Sequence, residues 1–182
     1  MIRLAIAGTA AVLTLGLTGG AGWAAEQASA AFISTNGEEI GQASITEGPG
    51  GILVTLKVDD LPEGVHAIHF HDVGDCGDPD AGFKASGGHI NPDDQDHGLL
   101  NADGPHPGDL PNIYISKEGS VEAELFSPFL TLSEDKDRVS LLDDDGSALV
   151  IHEGADDHMS QPVGGAGDRL ACAVVEAADG DQ

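Results

Sequence analysis

Short runs rich in Val, Ile, Leu and Phe alternate with clusters of Gly, Asp, Pro and Asn along the chain, and nowhere is there a sustained helical period. "AAFIST" runs into Asn36-Gly37, a strong hairpin signal, and "EEIGQASIT" follows it. "ILVTLKV" and "VHAIHFH" come next, after which strand signals vanish from Asp72 to Leu110. They return in "NIYIS", "VEAELF", "SALVIH" and "RLACAVVE", with an irregular stretch, "SPFLTLSEDKDRVSLLDDDG", between the second and third of these. About eight short strands separated by turns predict an all-β antiparallel sandwich or barrel. Two long loops interrupt it, one of roughly forty residues after His71 and a Gly- and Asp-rich one before Arg169. Loops beyond about 15 residues are usually functional or disordered.

The first long loop is marked out by its imidazoles. Seven of the eight histidines lie on a strand or in the loop that follows one: His66, His69 and His71, then His89, His97 and His106, then His152. Side chains alternate between the faces of a strand, so His69 and His71 point the same way and His66 the other. Imidazole suits zinc and copper. The oxygen-rich stretches "DPDAG" and "NPDDQD" lack the spacing of a calcium-binding EF-hand loop. His89, His97, His106 and Asp109 together make a closed tetrahedral shell, the mark of a structural zinc, whereas a zinc hydrolase needs an open position. His69, His71 and His152 supply three more nitrogens, and a shared His89 would supply a fourth. His158 is expected at the surface with no ligand role.

The N-terminus changes where this chemistry is expected to occur. Met1 to Ala25 carries one charge, Arg3, then an apolar run from Leu4 to Leu17, then small residues. That layout predicts a secretory signal peptide over residues 1–25, cut after Ala24 or as late as Ala30, with the folded domain over 31–178. The apolar run is shorter than the roughly 20 residues of a membrane span. In an oxidising compartment Cys76 and Cys172, the only cysteines, can pair; two free thiols or a shared metal are the alternatives. A bridge there would close a loop of nearly a hundred residues, for which chain entropy gives ~4.7 kcal/mol. The formal charge is −25, from 32 acidic against 7 basic residues. Without Arg3 it becomes 6 − 32 = −26. Nucleic acid and anionic membranes are poor partners for such a surface, and a solubilising acidic shell is the plain reading of it.

The segments "AIHFHDVGDC", "GGHINP", "GPHPGDLPN", "ALVIHEGADD" and "GGAGDRLACAVV" occur in the order and spacing of the copper/zinc superoxide dismutases, and the chain resembles the exported bacterial branch of that family. The resemblance implies a Greek-key barrel that converts superoxide to dioxygen and hydrogen peroxide, with one copper and one zinc ion per subunit, as a monomer or a homodimer. By position it implies copper on His69, His71, His89 and His152, and zinc on His89, His97, His106 and Asp109, with His89 bridging the two. It further implies that Asp156 links His69 to His97, that His66 ties loops to the sheet, and that Cys76 and Cys172 form a disulfide. Arg169 would stand beside the open copper face. Ala67 and Ile68 depart from the family's usual Gly and Phe, which changes packing and not ligands. Lys84, the only lysine of the long loop, is the candidate outer guide for the anion. Asp168, beside Arg169, would point away from it if both lie in a strand. A non-catalytic copper/zinc-binding module on the same fold is the alternative, but such a module has no use for an arginine beside an open coordination face.

Overall fold

A computed structural model describes residues 26–133, 135 and 137–178, so the expected signal peptide lies outside the described residues. Twelve strands are present among the described residues: β1 Gln27–Ser34, β2 Glu39–Gly48, β3 Gly51–Val58, β4 Gly64–His66, β5 Ile68–His71, β6 Ile113–Ile115, β7 Val121–Ser127, β8 Leu130–Thr131, β9 Val139–Ser140, β10 Ala148–His152, β11 Arg169–Val174 and β12 Glu176–Ala177. The main sheet is antiparallel and eight-stranded, in the order β5-β10-β11-β1-β2-β3-β7, with β12 pairing β1 beyond the end of β11. The neighbours β3-β7, β5-β10 and β11-β1 are far apart in the chain, so the sheet is closed up by crossovers rather than by hairpins alone. The all-β, eight-stranded expectation holds.

The expected hairpin forms between β1 and β2, with Gly37 in the left-handed region (φ 76°) that the turn requires. β1 begins at Gln27, ahead of the expected domain start at residue 31, and Gln27 to Ala30 pair with β2. Along β3, Val54, Leu56 and Val58 turn into the core while Leu53, Thr55 and Lys57 turn out. Phe32, Ile45, Val54, Phe70 and Leu149 lie in the middle of that core.

β5 and β10 break the alternation, since every residue of both is buried. Each has the core on one face and a covering loop on the other. Ile68, Phe70, Leu149 and Ile151 pack into the main core. Ala148 and Val150 face the opposite way, into a second small cluster with Phe83, Cys76 and Cys172. The outer face of this part of the sheet is therefore roofed by the long loop, and His69 and His71 stand under that roof.

The expected single run from Val65 to His71 is two strands. β4 pairs β6 in a separate ribbon and β5 pairs β10, and the chain changes partner at Ala67. There the Ala67 N–H donates to the Gly154 carbonyl (2.8 Å) and its own carbonyl accepts from the His152 N–H (2.9 Å). His66 is thus set apart from His69 by a change of sheet, which simple alternation along one strand could not show.

The stretch read as irregular, 127–146, contains β8 and β9, a parallel pair. A buried carboxylate anchors it. Glu47, 4% exposed on β2, accepts from Thr131 Oγ1 (2.7 Å), the Leu132 N–H (2.8 Å), the Ser133 N–H (3.1 Å) and Ser133 Oγ (3.1 Å). Burial pushes its pKa up, but these donors and the Arg138 guanidinium outweigh burial and hold it below 4.5. Its contribution is therefore present in full above that ordinary value and is lost as pH falls through the lower, folded-state one. Glu47→Gln should cost about 2 kcal/mol in urea unfolding at pH 7, with the gap to the parent protein narrowing in acid. An equal gap at both ends of the pH range would refute the carboxylate's role.

Candidate metal centre

The histidines are delivered by the two buried strands and by the loop that roofs them. β5 carries His69 and His71, and β10 carries His152 at its end, next to β5 in the sheet. The loop is tied to the edge of β5 by isolated bridges, His71 to His89 and His69 to Asp109. Gly108 passes so near β5 that a Cβ there would lie 2.4 Å from the Phe70 carbonyl oxygen, so only glycine fits.

All but one of the clustered rings has its outer nitrogen committed. His71 Nδ1 lies 3.1 Å from the Gly87 carbonyl, His106 Nε2 3.0 Å from the Gln95 carbonyl and His152 Nδ1 3.4 Å from the Gly167 carbonyl. A carbonyl can only accept, so each of these nitrogens carries the hydrogen and the other is a lone pair. Asp156, 4% exposed, takes two further N–H groups: Oδ2 accepts from His69 Nε2 (2.9 Å) and Oδ1 from His97 Nε2 (3.0 Å).

The remaining nitrogens face one another. His97 Nδ1 is 3.0 Å from Asp109 Oδ1, and His106 Nδ1 is 3.6 Å from the same oxygen and 3.4 Å from His89 Nδ1. His71 Nε2 is 3.4 Å from His152 Nε2, and His69 Nδ1 is buried with no partner. Lone pairs turned on each other in this way repel unless a cation lies between them. A tetrahedral zinc with bonds of 2.0–2.1 Å sets its ligand atoms about 3.3 Å apart, and the donor separations of 3.0–3.6 Å among His89, His97, His106 and Asp109 bracket that value. The donor set fits the ion.

His89 is the exception. Its Nδ1 belongs to the carboxylate-containing group, 3.0 Å from Asp109 Oδ1, while its Nε2 is buried without any partner. The same ring joins His69 and His152 in a second group whose donor atoms all lie within 4.8 Å of one another. His71 adjoins that group through His152, their Nε2 atoms 3.4 Å apart, but its donor atom is less close to the other two rings. His69 and His89 have ring centroids only 4.1 Å apart.

The electrostatics divide along the same line. Burial pulls His69 down to about 4, against the pull of Asp156, and His152 down to about 3, with neighbouring rings adding to the fall. His71 is lowered further still for the same reasons. These rings stay neutral at physiological pH, the form that binds a metal. His97 is also buried, but hydrogen bonds to Asp109 and Asp156 outweigh burial and push it up to about 9. The two carboxyls are opposed by burial and yet held well below the ordinary range by the imidazoles around them.

Arg169, at the start of β11, is pinned over the loop: Nη1 donates to the Phe83 carbonyl (2.5 Å) and Ser86 Oγ (2.9 Å), and Nη2 to the Gly87 carbonyl (2.6 Å). Cys76 and Cys172 are bonded across a separation of 96 residues, which fastens the start of the loop to β11. Arg169 and the exposed Lys84 line one surface depression of about 720 Å³, along with Asp80, Glu153 and Asp168. Asp168 lies in a bend before β11, so the strand argument does not apply to it; the carboxylates that act on Arg169 are Asp78 and Asp72. His66 donates from Nδ1 to the His152 carbonyl (2.8 Å) and joins neither imidazole cluster.

Three contributors escaped the sequence reading. His158 is not a free surface residue: its side chain is 19% exposed and its Nδ1 lies 3.4 Å from Asp156 Oδ2. Asn112 brackets the Asp156 backbone, accepting from its N–H (2.9 Å) and donating to its carbonyl (2.8 Å). Gly164, at φ 63°, passes over the site, where a Cβ would sit 1.7 Å from Asp156 Oδ1. The clustering of Asp156 and His158 was the available signal for the first; for the others no spacing in the chain announces the contact.

An antiparallel β-barrel whose one face carries two adjoining imidazole-rich groups sharing a ring has the donors of a metal-binding protein. The family model for copper/zinc superoxide dismutase matches residues 39–175, and the chain belongs to that family. It is 45% identical over 150 residues to a superoxide dismutase [Cu-Zn] of Caulobacter vibrioides, covering 82% of this chain and 85% of that one. It is 44% identical over 146 residues to superoxide dismutase [Cu-Zn] 1 of Aquifex aeolicus, covering 80% and 85%. Among solved structures, the Cu/Zn superoxide dismutase of Brucella abortus matches with a TM-score of 0.67 at 31% identity, over 83% of this chain and 100% of the other. A SOD-like protein of Bacillus subtilis matches with 0.75 at 31%, over 80% and 96%. The chain is accordingly an oxidoreductase with one copper and one zinc ion as cofactors.

Proposed function

We infer that copper is held by His69, His71, His89 and His152, that zinc is held by His89, His97, His106 and Asp109, and that superoxide is disproportionated at the copper position. Two superoxide anions and two protons give one dioxygen and one hydrogen peroxide. The observation that carries the reading is His89, the one clustered ring with no outer acceptor, whose two nitrogens each serve a different group. Bound copper supplies a one-electron acceptor and donor for this chemistry, and bound zinc a redox-silent charge.

The chain's own residues do the rest. His89 Nε2, which has no partner, is the atom that would hold a proton for the peroxide, while its Nδ1 is turned to Asp109. Asp156 fixes the tautomers of His69 and His97 together, one ring on each side of His89, so both groups keep their lone pairs inward. Arg169 supplies the local positive charge for an incoming anion, and its bonds to Phe83, Ser86 and Gly87 keep it in place. The roof that carries those acceptors is held down by the disulfide.

We infer export as well. A cut after Ala30 would strip half of β1 from its pairing with β2, so the cut after Ala24 is the one compatible with the sheet. The intact mass of the exported protein reads this directly, and a mature chain starting at Ala31 would refute it.

The purified protein should accelerate superoxide decay, lose that activity on removal of both metals with a chelator, and regain it only when copper is restored. A decay rate indifferent to chelation would end the dismutase reading. Lys84→Glu should lower the rate several-fold at low ionic strength, with the difference fading as salt is raised. An unchanged low-salt rate would remove Lys84 from the path of the anion.

A further inference from the structure

The loop that follows β10 supplies no donor atom to the group His89, His97, His106 and Asp109, yet it holds one member of that group on three sides. The Gln161 carboxamide spans the backbone of His97: Oε1 accepts from the His97 N–H (2.9 Å) and Nε2 donates to the His97 carbonyl (3.0 Å). The His97 ring is held by Asp156 Oδ1. The two loops also meet backbone to backbone, where the Leu100 N–H donates to the His158 carbonyl (3.1 Å). Gly98 permits that approach, because a Cβ there would lie 2.2 Å from the same carbonyl oxygen.

His158 completes the arrangement. Asn112 Oδ1 is used by the Asp156 N–H, so its Nδ2 faces the Asp156 carbonyl and His158 Nε2 (3.2 Å). His158 Nε2 must then accept, which leaves the hydrogen on Nδ1, buried without a hydrogen-bond acceptor and 3.4 Å from the Asp156 carboxylate. Its backbone N–H donates to Asp156 Oδ1 (2.6 Å). His97 is thus gripped from one side by the six-residue segment 156–161, whose Asp156 is itself held by Asn112.

We propose that residues 156–161 act as a strap on the zinc ligand His97, with Gln161 and His158 as positioning residues that set how tightly zinc is retained. The proposal rests on the zinc set given above. A ligand whose backbone is clamped at both N–H and carbonyl cannot be drawn off the site without breaking two bonds, and its ring cannot turn without breaking the bond to Asp156 Oδ1; outer-shell losses of this kind typically cost 10–100-fold in metal affinity.

The test uses the full mature chain loaded with copper and zinc, and follows zinc transfer to a chromogenic chelator. Gln161→Leu should release zinc about 10-fold faster than the parent. Gln161→Glu keeps the acceptor for the His97 N–H and loses the donor to its carbonyl, so it should fall between them; it also carries the test if the leucine variant fails to fold. Cobalt placed in the zinc site should show a shifted visible band in Gln161→Leu and His158→Leu, while the denaturant midpoint of the metal-free proteins stays that of the parent. Zinc release within twofold of the parent, or an equal loss of stability in the metal-free protein, overturns the strap. His97→Ala is the separate control. If it retains a full equivalent of zinc, the ligand assignment falls and the strap with it; if it loses zinc while Gln161→Leu does not, only the strap falls.

Discussion

The constraint on which the site depends is that a neutral imidazole has one N–H and one lone pair, and that an acceptor on its outer side decides which is which. Gly87, Gln95, Gly167 and Asp156 make that decision for five rings, each by a group that can only accept at physiological pH. The result is a buried space in which lone pairs and a carboxylate converge, offset without a cation only by the proton that Asp109 and Asp156 hold on His97. A polypeptide can sustain this arrangement because the acceptors are backbone carbonyls and one carboxylate that is itself held by backbone N–H and imidazole donors. Without cations the cluster is a concentration of mutual repulsion; with them it becomes a set of bonds, so binding and local order are expected to be coupled.

The sheet makes such a cluster possible by having a strand pair with two buried faces. On β5 the residues alternate Ile68, His69, Phe70, His71, and both sets are covered, one by the core and one by the loop. Hydrophobic burial on the inner face offsets the cost of bringing polar rings out of water on the outer one. The disulfide and Arg169 act on the loop from the same side, one covalently and one by three hydrogen bonds to loop oxygens. Glu47 does a comparable task elsewhere in the sheet, where a charged side chain buried on β2 holds the polar groups of a stretch whose Leu130, Leu132 and Leu141 reach the core.

Much of this was legible in the chain. The eight main strands follow from local runs and turns, because alternation and turn chemistry are properties of neighbouring residues. The convergence of His69 with His71 follows from the two-residue period, and the two proposed metal sets follow from the resemblance of whole segments. What could not be read is what depends on contacts between distant segments. The break at Ala67 exists because β4 and β5 find different partners, and nothing within "VHAIHFH" marks it. The β8-β9 pair has two residues per strand and is fixed by Glu47, more than eighty positions earlier. His158, expected at the surface because it falls in the loop before Arg169 where no ligand is called for, instead meets Asn112 and Leu100, supplied by another loop.

The acidity of the chain is at odds with an anionic substrate, and the geometry indicates how the two coexist. At physiological ionic strength a charge is screened over ~8 Å, so most of the −25 is felt as a diffuse background. What an incoming anion meets at short range is the mouth lined by Lys84 and Arg169, but Asp80, Glu153 and Asp168 line it too. The mouth is therefore not a uniformly positive funnel, and attraction must come from deeper in. Two divalent cations, offset by an imidazolate at His89, Asp109 and Asp156, would leave about +1 beneath the roof, and bound ions are commonly the largest local charges in such a site. Arg169 is held beside that charge by neutral acceptors rather than by a carboxylate, so its own charge is not cancelled by a direct ion pair. On this argument the outer surface is free to be acidic, because the field that selects the substrate is generated within a few ångströms of where it reacts.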